Sequence, residues 1–145
     1  MLASIKTAIR QSGIRLVVID YLQKFSADIA RDKKTEDLAE VVGKLQKLAR
    51  ESGIAVIALA QLNRESEKDK KPRKPRMSDL RESGAIEQDA DTIVAIHRED
   101  HRQSGEAELC VIKQRDGECG DVKVHYEGKF CRFSNLQPDI DHSAK

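Results

Sequence analysis

Residues 16–20 read Leu16-Val17-Val18-Ile19-Asp20, and residues 54–61 read Ile54-Ala55-Val56-Ile57-Ala58-Leu59-Ala60-Gln61. Each is an apolar run, rich in Val, Ile or Ala, that closes on a polar residue. Both are too short for buried helices and have the composition of strands covered on both faces, the mark of a parallel sheet. Between them Leu38, Val41, Val42, Leu45, Leu48 and Ala49 recur at helical intervals, behind Thr35, Glu36 and Asp37 and ahead of Gly53. That punctuation predicts an amphipathic helix. Strand, helix and strand at this spacing make a right-handed crossover, the building unit of α/β domains.

Outward from this unit, Ile5, Ala8 and Ile9 have the spacing of a helix preceding the first strand. Downstream, residues 78–89 predict a second helix, capped by Ser78 and weakened by an interior Gly84, and residues 92–96 a third strand. The pattern then changes to consecutive strands at 108–113, 122–126 and 129–133, with Asp116-Gly117 and Glu127-Gly128 supplying the turns. The expected fold class is α/β, with a mainly parallel sheet flanked by helices and antiparallel strands at the C-terminal end. Residues 1–136 are expected to form the domain and residues 137–145 a polar tail that frays.

The chain has 145 residues, which suits one domain with one core. Its 26 Lys and Arg nearly cancel 25 Asp and Glu, leaving +1. This excludes a uniformly basic nucleic-acid coat or an acidic tail, so any charge-driven binding must come from local asymmetry. Such asymmetry exists: residues 64–76 hold seven basic and three acidic residues. No apolar run approaches the ~18 residues of a membrane span. Three cysteines, Cys110, Cys119 and Cys131, give no paired framework. A soluble cytoplasmic protein without a membrane partner is expected.

Ligands of open parallel sheets bind beyond the carboxyl ends of the strands. Asp20 and Gln61 both follow strands directly, so parallel neighbours would set them at one edge, about one or two spacings of ~4.8 Å apart. An aliphatic strand ending in a lone Asp reads as a Walker B element, whose hard oxygen suits Mg²⁺, usually through water; it also reads as a simple strand-terminating turn. Gln61 suits orientation of a water or sensing of a γ-phosphate, or is a satisfied polar residue at a loop start. The basic segment, including Arg73, Lys74 and Arg76, can neutralise phosphates or be a solvated loop; lacking aromatics, it would grip backbone and not bases. Lys113 and Arg115 at a strand end are either an exposed cationic pair or a finger toward a phosphate. His97 and His101 with Cys110 and Cys119 do not form a zinc site by spacing, because the histidines follow a strand and the cysteines lack a close-spaced knuckle.

The segments Ile19 to Gln23 (IDYLQ), Val56 to Arg64 (VIALAQLNR), Met77 to Asp91 (MSDLRESGAIEQDAD) and Lys113 to Gly117 (KQRDG), in this order, resemble the C-terminal half of the RecA-like motor domain of DnaB-type replicative helicases. The likeness runs from about Leu16 to Asn135. It implies a partial RecA-like fold and, in the intact family motor, ATP and Mg²⁺ as cofactors, single-stranded DNA as partner and a hexameric homo-oligomeric ring. By the same resemblance Asp20 matches the Walker B aspartate and Gln61 the glutamine that couples the γ-phosphate to DNA-binding loops. Arg81, Glu82 and Gly84 fall in the segment that tracks the DNA backbone, where a glycine lets a phosphate approach closely. Lys113 and Arg115 match finger residues that reach the nucleotide of a neighbouring subunit.

The 145 residues contain no G-x-x-x-x-G-K-[ST] phosphate cradle. The sequence therefore reads as a segment that begins inside the motor fold, and the isolated chain is expected to bind no nucleotide tightly and to hydrolyse none. The alternative reading is a non-catalytic module that binds single-stranded DNA or docks on an intact helicase.

Overall fold

In a computed structural model of the chain, residues 2–26, 34–62, 73–80, 84–99 and 105–136 are described. The expected 137–145 tail lies outside them. The chain divides into two compact units, residues 1–65 with 77–91 and residues 66–76 with 92–145. The described strands fall into two separately hydrogen-bonded sheets, one in each unit.

The first unit is the predicted crossover. Helix α1 (Leu2–Ser12) leads to β1 (Leu16–Ile19); α2 (Lys34–Ser52) returns the chain to β2 (Ala55–Ala58). The two strands pair in parallel, in register from Leu16 with Ala55 to Ile19 with Ala58. Glycines at positive φ end both helices: Gly13 (61°) donates to the Ile9 carbonyl, and Gly53 (62°) precedes Ile54, which donates to the Ala49 carbonyl. A residue without Cβ adopts that left-handed conformation without strain. Leu38, Val42, Leu45 and Leu48 of α2 are buried with Ile19 and Leu22. Helix α3 (Gly84–Asp89) packs on α2, burying Ile86, and the Gln46 amide donates 2.7 Å to the Asp89 carbonyl.

Two expectations change here. The helix foreseen from Ser78 begins at Gly84, while Met77–Asp79 form a 3₁₀ turn with Asp79 buried. Glycine's low helix propensity favours a boundary over an interior position. Nor are the parallel strands covered twice. Leu16, Val18 and Ile57 project from one face and remain half exposed or more, Val18 at 59%. Val17, Ile19 and Val56 point the other way, and α2 packs on β2.

The second unit is one antiparallel sheet, ordered β3 (Thr92–His97), β4 (Gly105–Gln114), β5 (Gly120–Glu127), β6 (Arg132–Asn135). Ile93, Ala95, Ala107, Cys110 and Val124 are its buried residues. Strand β3 joins this sheet and not the parallel pair. The last strand starts at Arg132 and not Lys129, because Gly128–Phe130 form a 3₁₀ turn closed by Cys131 in a left-handed conformation. No described helix is long and apolar enough to cross a membrane.

Candidate functional site

Asp20 is the first residue beyond β1 and is exposed. Its peptide bond to Tyr21 is cis. Backbone pairing continues past both strands: Leu59 donates 2.9 Å to the Ile19 carbonyl, and Leu22 donates 2.9 Å to the Leu59 carbonyl. The carboxyl ends of β1 and β2 are therefore stitched together, and Asp20 and Gln61 lie on that common edge. Lys24 engages the Asp20 carbonyl oxygen at 3.3 Å and not its carboxylate.

Gln23 had no role in the sequence reading. Its side-chain oxygen accepts from the Gln61 backbone N–H at 3.2 Å, and its amide donates to the Gln61 carbonyl at 3.4 Å. One carboxamide thus holds both backbone groups of Gln61. The residue stood in the quoted IDYLQ segment, but a contact across 38 positions has no local signature.

Gly84 opens α3, and a Cβ built there meets nothing within 4 Å. No contact within the described residues demands glycine at this position. Arg81 and Glu82 lie outside the described residues.

In the antiparallel unit, Lys113 sits on β4 opposite Ile93, and Arg115 lies in the bend that follows Gln114. Gln114 accepts 2.9 Å from the Thr92 hydroxyl. The bend folds back on Gln114 so closely that a Cβ on Gly117 would lie 2.9 Å from the Gln114 Cγ. A larger residue at Gly117 would therefore require the exposed Gln114 side chain or the bend to shift.

Residues 73–76 belong to the same unit. Lys74 reaches two carboxylates, Asp121 at 2.7 Å and Glu108 at 2.9 Å. These hydrogen bonds hold its ammonium above the ordinary lysine range, Asp121 contributing more than Glu108. Lys74, then Cys110, holds Asp121 below the usual carboxylate range. Burial, then Asp121, pushes the Cys110 thiol up to about 11. Glu108, Cys110 and Asp121 place their donor atoms within 4.8 Å of one another, an arrangement able to hold a metal ion. The Lys74 ammonium already supplies this cluster with a cation.

The fold of the chain has counterparts among solved structures. One, described as an ATPase domain, superposes with a TM-score of 0.79 at 36% identity, covering 94% of this chain and 50% of that one. The structure of a DnaB-like replicative helicase and its interactions with primase gives 0.78 at 36%, covering 94% and 34%. The fold is therefore that of part of a RecA-like helicase domain. More narrowly, the DnaB-like helicase C terminal domain family matches residues 1–135, and the chain belongs to it. Replicative DNA helicases DnaB of Pasteurella multocida and Leifsonia xyli subsp. xyli are 43% and 42% identical over 134 and 131 residues, 89% and 87% of this chain. The chain spans 28% of the length of each.

Proposed function

We propose that the chain is the distal segment of an ATP-dependent replicative helicase motor, which translocates on single-stranded DNA as a ring of like subunits. The observation that carries this reading is the common carboxyl edge of β1 and β2, which gathers Asp20 and Gln61. Asp20 fits a Mg²⁺ site, since its exposed hard oxygen suits that ion through water and the nearby Lys24 binds its carbonyl instead. Bound Mg²⁺ would neutralise charge on the nucleotide phosphates.

The chain's own groups divide the remaining work. Gln61 would offer its carboxamide to the terminal phosphate, and Gln23 holds its backbone. Lys113 and Arg115 bring positive charge to the nucleotide of an adjacent subunit, stabilising charge on the transferring phosphoryl group. Arg81, Glu82 and Gly84, with the cationic segment that includes Arg73 and Arg76, follow the DNA backbone. The phosphate cradle must come from residues other than these 145, so the isolated chain turns over no ATP. The alternative, a DNA-binding or helicase-docking module, is favoured by the open apolar face of β1 and β2.

ATPase assays with single-stranded DNA test the reading. The chain alone is expected to be inactive, and the same chain joined to a phosphate-cradling half to be active. Robust turnover by the isolated chain, lost in Asp20→Asn, would overturn it.

A further inference from the structure

Charge counting makes Lys74 one of several cations available to phosphate. Its surroundings say otherwise. Glu108 on β4 and Asp121 on β5 both point at its ammonium, and the Glu108 side chain is only 16% exposed. Asp121 lies opposite Cys110 in the strand register, so the acceptors stand on two paired strands and not on a loop. A cation held by two carboxylates carries little net field toward a distant phosphate, because their charges offset its own. It has also spent donors on them.

We infer that Lys74 is a positioning residue, an anchor that fastens residues 73–76 to the β4–β5 face, and not a DNA ligand. The segment it fastens leads directly into the Met77–Asp91 block, and β4 ends in the Lys113 to Arg115 finger. The anchor thus fastens residues 73–76 to β4 and β5 within their own unit, leaving any phosphate contact in this segment to other side chains. The upward shift of the Lys74 ammonium and the downward shift of Asp121 agree with this geometry.

The DNA arm of the test rests on the proposed function; the chemical arm does not. In competitive amine acylation read by mass spectrometry, the free-amine form reacts, so Lys74 should label at least about tenfold more slowly than the exposed Lys129. Glu108→Gln with Asp121→Asn should remove the difference. Equal labelling of Lys74 and Lys129 in the unmodified chain would overturn the anchor, whatever the chain does with DNA.

Binding of an unstructured oligonucleotide across a salt series supplies the second arm. Lys74→Ala should weaken binding about two- to fivefold while leaving the slope of log K against log salt unchanged, and Lys74→Arg should restore affinity. The double carboxylate variant should steepen the slope by about 0.7, the increment for one added phosphate contact. A slope made shallower by about 0.7 in Lys74→Ala would identify Lys74 as a phosphate ligand and defeat the inference. If the oligonucleotide does not bind even at low salt, the DNA reading fails alone and the labelling result decides the anchor.

Discussion

Asp20 exposes one carboxylate at a strand end, so Asp20→Asn removes a charge without emptying the core. Its unfolding free energy in denaturant should match the parent within about 0.5 kcal/mol, as surface substitutions do, separating a catalytic effect from a folding one. Among the thiols, Cys110 is buried and pushed up to about 11, whereas Cys119 and Cys131 are exposed. A raised thiol pKa keeps the unreactive protonated form, so maleimide near neutral pH should label Cys119 and Cys131 first; Cys110 should gain reactivity only as pH approaches about 11 or the chain unfolds. Faster labelling of Cys110 in the native chain would contradict its placement. These single-residue properties were unevenly legible. Asp20 and Gln61 announced themselves by closing apolar runs. Gln23 and Lys74 did not, because a carboxamide gripping a backbone 38 positions away, or an ammonium paired 34 and 47 positions away, leaves no spacing to read.

Elements built from local rules were readable in the sequence. The β1 bounds, the α2 face and its closing Gly53 follow from apolar periodicity and from glycine's access to positive φ. The α2 face holds the first unit together, so Leu48→Ala should cost about 2–5 kcal/mol in urea denaturation through lost burial and the cavity left behind. A cost below about 1 kcal/mol would mean that this helix is not packed as described. The turn at Gly117 offers a second test: Gly117→Ala drives a Cβ to 2.9 Å from the Gln114 Cγ, so Gln114 or the bend must shift. In a motor completed with its phosphate cradle, this should lower turnover with little loss of stability, and Arg115→Ala should lower it about 10³–10⁵-fold. Less legible were elements decided by long-range pairing. The sequence did not reveal that β3 would pair with β4, or that a 3₁₀ turn would delay β6 to Arg132, since strand pairing depends on partners far along the chain.

At the scale of the molecule, the apolar content of β1 and β2 exceeds what the described residues cover. Leu16, Val18 and Ile57 form one open face. This chain covers 50% of the solved ATPase domain that it matches. Open apolar faces associate, so sedimentation of the chain should show concentration-dependent self-association that Val18→Lys with Ile57→Lys suppresses. A monomer throughout, with both residues native, would show that the face is otherwise protected. The central claim is that Asp20 and Gln61 serve one nucleotide crevice. Steady-state ATP hydrolysis, with and without single-stranded DNA, tests it most directly in the chain joined to a phosphate-cradling half. Asp20→Asn should lower turnover at least about 100-fold under both conditions, whereas Gln61→Ala should chiefly remove the stimulation by DNA. Parent-like turnover and stimulation in both variants would contradict it.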